Sequence, residues 1–195
     1  MAEVVVFHHA QGLTDGVRAF ADELRAAGHT VHTPDLYEGR TFTDLGDGIR
    51  NVQQIGFDTI IARGRAAAEA LPAELVYIGF SLGVMPAQLL AQTRPGAQAA
   101  VLLHSCVPPS EFGSSWPDGL PAQIHIMDRD PEALPPNGDL GAARALADDV
   151  DDVELFLYPG DGHLFTDPSL PKEYDAESTE LVWSRALAFL RGLEV

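Results

Sequence analysis

Along the chain, short runs of apolar residues alternate with longer stretches in which apolar positions recur every three or four residues. The runs predict strands at 4–7, 75–78, 99–104, 123–127 and 153–158, with a shorter one at 30–33 ended by Pro34-Asp35. Continuous apolar strands are what a parallel sheet covered on both faces requires. The recurring positions predict the helices. Leu13, Val17, Phe20, Ala21 and Leu24 share one face of a helix capped by Thr14 or Asp15 and stopped at Gly28. An alanine-rich helix over 58–71 is closed by Pro72, and another carries Leu82, Met85, Leu89 and Leu90. In the latter, Pro86 is tolerable because it falls in the first turn, where backbone donors are still unpaired. Leu140, Ala143, Leu146 and Ala147 line a helix capped by Asn137 or Asp139 and closed by Asp148-Asp149. The last helix, over 176–190, shows Leu181, Val182, Leu187 and Leu190.

Two stretches resist this pattern. Between 35 and 54, Leu36, Tyr37 and Phe42 stand among Gly39, Gly46 and Gly48, which predicts a long loop with one short helix. Its place beside the C-terminal edge of the sheet makes it pocket wall, with Tyr37 a candidate. Residues 105–121 hold four prolines and two glycines, read as irregular and too short for a lid domain. Six strands alternating with helices predict one doubly wound α/β domain over 1–195. Its mostly parallel sheet, of about six or more strands, carries helices on both faces and leaves the site open.

The chemistry gathers at the strand ends. Gly79-Phe80-Ser81-Leu82-Gly83 has the Gly-x-Ser-x-Gly form, whose small residues let a strand turn sharply into a helix while the serine projects above the sheet edge. A serine hydroxyl is a poor nucleophile without a base. His163 follows the last predicted strand in the small-residue turn Pro159-Gly160-Asp161-Gly162, on the same rim. An orienting acid must come off the turn after 123–127, where both Asp128 and Asp130 stand, Asp130 the better placed. The order Ser, Asp, His is the α/β-hydrolase order. An oxyanion would then be held by the Leu82 amide and by a second amide from the loop after the first strand, at Ala10 or its neighbour His9.

Composition narrows the partners. Twelve basic against 29 acidic residues give a formal net charge of −17, with Lys172 the only lysine. Such a surface repels phosphate backbones and anionic membranes, so no nucleic-acid or membrane partner is expected. Cys106 is the only cysteine, which excludes an intrachain disulfide and a cysteine-based metal cluster. Met1-Ala2-Glu3 leads straight into a strand without a basic n-region, so a cytoplasmic location is expected. His8 and His9 are adjacent, but consecutive side chains diverge in an extended segment; no metal or cofactor is expected there. Cys106 follows the strand ending at His104 and is a candidate for the pocket floor.

Taken together, these segments resemble the dienelactone hydrolases, the compact lidless branch of the α/β-hydrolases. The resemblance runs through Phe7-His8-His9-Ala10-Gln11-Gly12-Leu13, Pro34-Asp35-Leu36-Tyr37, Gly79-Phe80-Ser81-Leu82-Gly83, His125-Ile126-Met127-Asp128-Arg129-Asp130-Pro131 and Tyr158-Pro159-Gly160-Asp161-Gly162-His163-Leu164-Phe165. In the family the acid lies five residues beyond the histidine of that strand, which implies Asp130. Three departures stand out. The best-known members use a cysteine where this chain has Ser81. They place a glutamate in the first loop, where His9 stands. They also hold the substrate carboxylate with an arginine four residues after the catalytic histidine, where Asp167 stands. An acid at that place would repel a carboxylate.

The expected function is therefore a serine hydrolase, monomer or homodimer, acting on a small neutral ester or lactone through Ser81, Asp130 and His163. His9, Tyr37, Cys106 and Asp167 are its pocket candidates. Thioester or small-amide hydrolysis would use the same groups, and a non-catalytic binding protein on the same fold is the reading from another class.

Overall fold

Alternation within each strand decides which helices pack on it. In the computed structural model, which describes residues 1–113 and 115–193, the first strand β1 (Glu3–Phe7) turns Val5 and Phe7 to one face and Val4 and Val6 to the other. The same two-residue period sorts Leu75 and Tyr77 from Val76, Ile78 and Phe80 in β3 (Leu75–Phe80). The Val4 face packs on α1 (Asp15–Ala26) and α6 (Ala176–Gly192). The Val5 face packs on α2 (Leu45–Ile55), α3 (Phe57–Glu69), α4 (Val84–Thr93) and α5 (Asp139–Asp149). The remaining strands are β2 (Thr30–His32), β4 (Ala97–Leu103), β5 (Ala122–Met127) and β6 (Val153–Tyr158).

All five strand pairs are parallel, in the order β2-β1-β3-β4-β5-β6. The order reverses at β1, so the crevice between the loops after β1 and β3 is a switch point of the kind where α/β folds bind ligands. Those loops carry Ala10 and Ser81.

The local chemistry explains where the chain departs from its pattern. Strand β3 runs two residues further than the apolar run indicates, because Gly79 still pairs with Phe7 and Phe80 with Leu103. The region expected to be mostly loop contains the 11-residue helix α2, capped by Asp44, whose side chain accepts from the Asp47 amide. Thr14 caps α1 in the same way, accepting from Val17. Neither candidate caps α5 with its side chain; Gly138, at φ +90°, holds that position, and Asn137 instead donates to the Glu132 carbonyl. Among the described residues no helix is long and apolar enough to cross a membrane.

Candidate active site

The turn after β3 is built by close approach. A Cβ on Gly79 would lie 2.4 Å from the Gly83 carbonyl oxygen, and one on Gly83 would lie 2.3 Å from that of Phe7. Both glycines are therefore needed for the turn to seat against β1. Ser81 between them holds φ +48°, a strained conformation for a residue with a side chain, and opens a single 3-10 turn before α4.

The strain points Ser81 at a base. Its Oγ lies 2.7 Å from His163 Nε2, and His163 Nδ1 lies 2.7 Å from Asp130 Oδ2. With the carboxylate accepting from Nδ1–H, Nε2 is left to accept the serine proton. His163 is anchored through its own backbone, whose amide donates to Glu173 Oε2 at 2.8 Å. Asp130 is fully buried, and its other oxygen accepts the Glu132 amide at 2.9 Å. Asp128 is exposed and accepts from the Gly160 amide instead. Of the two acids left open by spacing, Asp130 is the one that meets the histidine.

The loop after β1 is held from every side. His8 Nε2 accepts the Leu36 amide at 3.0 Å, so its Nδ1–H donates to the His9 carbonyl at 2.8 Å. His9 has the opposite tautomer: Nδ1 accepts the Gln11 amide at 3.2 Å, and Nε2–H donates to Asp167 at 2.8 Å. All four ring nitrogens are committed, so neither histidine offers a lone pair to a metal. Burial pushes His8 down to about 4 and lowers His9 as well, although Asp167 opposes the second effect. Tyr37 donates to the Ala10 carbonyl at 3.0 Å, and Gly48 of α2 packs so closely on that carbonyl that a Cβ would come within 2.3 Å. These contacts fix the peptide after Ala10, and the peptide before it is held through the His9 carbonyl, which accepts from His8 and from the Gly12 amide. The Ala10 amide, like that of Leu82 in the first turn behind Ser81, belongs to a residue lining the same cleft as the serine.

That cleft has a volume of ≈ 260 Å³. Leu45, Ile49 and Val52 of α2, with Phe57, Met85 and Val107, supply apolar wall, so the 35–54 region does form part of it. The four pocket candidates read from the sequence do not line it. Tyr37 and His9 are fully buried behind the Ala10 loop, as described. Cys106 is also fully buried, and desolvation, with a further push from Asp139, drives its thiol up to about 12. Asp167 is turned away into a closed network. It accepts from His9 at 2.8 Å, from Thr14 Oγ1 at 2.6 Å, and from the Ser169 amide and hydroxyl at 2.8 and 2.5 Å. Burial would raise its pKa, but His9, Ser169 and Thr14 together hold the carboxyl below its ordinary value.

The polar residues that do line the cleft beside Ser81 and His163 are Ser105, Glu132, Asn137 and Asp139. Sequence reasoning missed them as site residues. A usable signal was their position after β4 and β5, at the sheet edge that already carried the triad.

A nucleophile, base and acid joined at 2.7 Å, in the order Ser, Asp, His and opening onto an apolar cleft, make a site of the serine-hydrolase type. The dienelactone hydrolase family profile matches residues 1–193. The chain belongs to the dienelactone hydrolase family. No similar sequence is found among curated proteins. Solved structures similar in fold include a dienelactone hydrolase-like promiscuous phosphotriesterase from metagenomic libraries, at 22% identity and TM-score 0.80, covering 99% of this chain and 87% of that one. Another is dienelactone hydrolase from Anabaena variabilis, at 17% identity and TM-score 0.71, covering 98% and 86%. The thioesterase domain of the curacin biosynthetic pathway shares 14% identity at TM-score 0.61, covering 93% and 90%. Within the family, this member carries serine as the residue facing the base.

Proposed function

We propose that the protein hydrolyses a small carboxylic ester or lactone through an acyl-enzyme on Ser81. The observation that carries the reading is the unbroken chain Ser81 Oγ, His163, Asp130 at 2.7 Å per link, with the hydroxyl at the cleft. His163 Nε2 takes the serine proton as Oγ attacks the carbonyl carbon, and Asp130 steadies the imidazolium. The carbonyl oxygen becomes an oxyanion, held by the Leu82 and Ala10 amides; loss of one such donor costs about 3 kcal/mol of transition-state stabilisation. His163 then returns the proton to the leaving alkoxide. A water deprotonated by His163 attacks the acyl carbon, and Ser81 leaves with that proton. In a lactone the alkoxide stays tethered to the acyl group, with no other change.

The family's name and the dienelactone hydrolase among the similar folds support an ester or lactone substrate. The test is labelling by a fluorophosphonate, with hydrolysis of short-chain 4-nitrophenyl esters in parallel. Ser81→Ala is expected to abolish labelling and to lower kcat/KM by more than about 10⁴-fold. Retained turnover in the pure variant would overturn the assignment.

A further inference from the structure

The carboxylates in and against the site are compensated differently. Asp130 faces the His163 ring and Asp167 faces the His9 ring. Asp139, at the start of α5, has no ring in such direct contact. Its Oδ2 accepts from Ser105 Oγ at 2.5 Å, and among the described residues no arginine, lysine or histidine forms an ion pair with it. Asp139 and Ser105 both line the cleft, as does the half-buried Glu132. Among the described residues no lysine or arginine lines the cleft. Arg63 is committed elsewhere, donating to the Leu36 carbonyl at 2.6 Å and to Glu38 at 2.9 Å. Burial raises the Asp139 pKa, and the Ser105 hydroxyl and the charge of the nearby His163 ring only partly offset that penalty. A cation in the cleft would act in the same direction as these two.

We propose that Asp139, assisted by Glu132, makes this cleft selective for esters that carry a protonated amine or quaternary ammonium group. The proposal rests on the serine-hydrolase reading of the same cleft. Its apolar lining suits the methylenes or methyls around such a cation. Half-exposed Phe57, which also lines the cleft, offers an aromatic surface of the kind that ammonium groups favour. The protein's net charge of −17 adds a long-range field of the same sign. A carboxylate-bearing ester would meet two acids and, among the described residues, no lysine or arginine.

The test compares matched substrates that differ in one atom at the charged centre. Acetylcholine is set against 3,3-dimethylbutyl acetate, with the charge on the alcohol side. The 4-nitrophenyl ester of 4-(trimethylammonio)butanoate is set against that of 5,5-dimethylhexanoate, with the charge on the acyl side. The readout is the ratio of kcat/KM for cation over isostere, which does not change with the fraction of folded enzyme. In at least one pair the wild type is expected to favour the cation by about fivefold or more at low ionic strength, falling toward one at high salt. Asp139→Asn keeps an acceptor for Ser105 and should cut that ratio at least about threefold; Glu132→Gln should cut it less. A ratio at or below one in both pairs, with Ser81 still labelled by fluorophosphonate, overturns the specificity alone. A wild type that neither labels nor hydrolyses any of the four esters overturns the hydrolase reading and this proposal with it.

Discussion

Acidification should destabilise this protein before its ordinary carboxylates are protonated, because histidines are buried in the neutral state. His8 is held at about 4 and His125 at about 3, against an ordinary value of 6.5, with desolvation the leading cause for each. His9 and His104 are lowered too. Among the described residues the Nδ1 of His104 has no partner, and its ring lies against Phe80 and Phe165, so a proton there would find no acceptor. For a histidine whose folded pKa is depressed, both states are neutral above 6.5. As the pH falls below that value the unfolded chain takes up protons that the native state refuses, and stability is lost until the folded pKa is reached. At pH 5, about 1.5 pH units below the ordinary value, His8 and His125 each remove about 2 kcal/mol, or about 4 together. That is a large share of the roughly 5–15 kcal/mol by which domains of this kind are stable. Asp167, whose pKa is lowered, loses its contribution only in the acid range below an ordinary carboxylate. Asp139, whose pKa is raised, works in the opposite sense and moderates the loss. The assay is urea unfolding between pH 7.5 and 5.0, followed by tryptophan fluorescence from Trp116 and Trp183. The slope near pH 5 should be at least about 2.7 kcal/mol per pH unit, the equivalent of two protons. His125→Phe should lower it by about 1.4 kcal/mol per pH unit, whatever the variant's absolute stability. An unfolding free energy that stays within about 1 kcal/mol across the whole range would refute the argument.

Asp130→Asn should lower kcat for a 4-nitrophenyl ester by an amount of order 10⁴-fold, because an amide there stabilises the wrong His163 tautomer, while Asp128→Asn should change it by less than about threefold. Equal effects in the two variants would reverse the choice of acid. Asp167→Arg should destabilise the protein by about 3–5 kcal/mol in urea unfolding at pH 7.5, since it buries an unpaired cation beside His9. A stable variant with improved turnover of carboxylate-bearing esters would show that position 167 reaches the cleft.

The parts of the fold legible in the sequence were those decided locally. Strand β6 was read with its observed bounds because an apolar run lies between an acidic stretch and Pro159-Gly160. Ser81, His163 and Asp130 were legible because a parallel sheet sends every βα loop to one edge, so order along the chain becomes proximity in space. Helix α2 was underread for a reason outside its own sequence. Gly46 and Gly48 lower helix propensity, but Gly48 is the residue that lets the helix rest on the Ala10 carbonyl. That is a tertiary requirement, and no local pattern expresses it. The pocket candidates failed for a related reason: sequence position carries a residue to the rim but says nothing of the direction in which its side chain turns.

Asp167 is where this matters most. Two departures from the family, His9 in the first loop and Asp167 four residues after His163, looked independent in the sequence. In the fold they are one feature, since His9 Nε2–H donates to the Asp167 carboxylate at 2.8 Å, with both side chains buried. Neither tolerates the family's residue at the other position. A glutamate at 9 would face a buried carboxylate, and an arginine at 167 would meet an imidazole whose Nε2 carries a proton. The pair also fixes what Asp167 can do. With one oxygen taken by His9 and Thr14 and the other by Ser169, it has no free lone pair directed at a substrate. A cradle for a substrate carboxylate is therefore missing because its position is spent on bracing the Ala10 loop against the His163 loop, and not because an acid there repels the ligand. On the proposal made above, the charge that a substrate meets in the cleft comes instead from Glu132, in the loop after β5, and from Asp139, the first residue of α5.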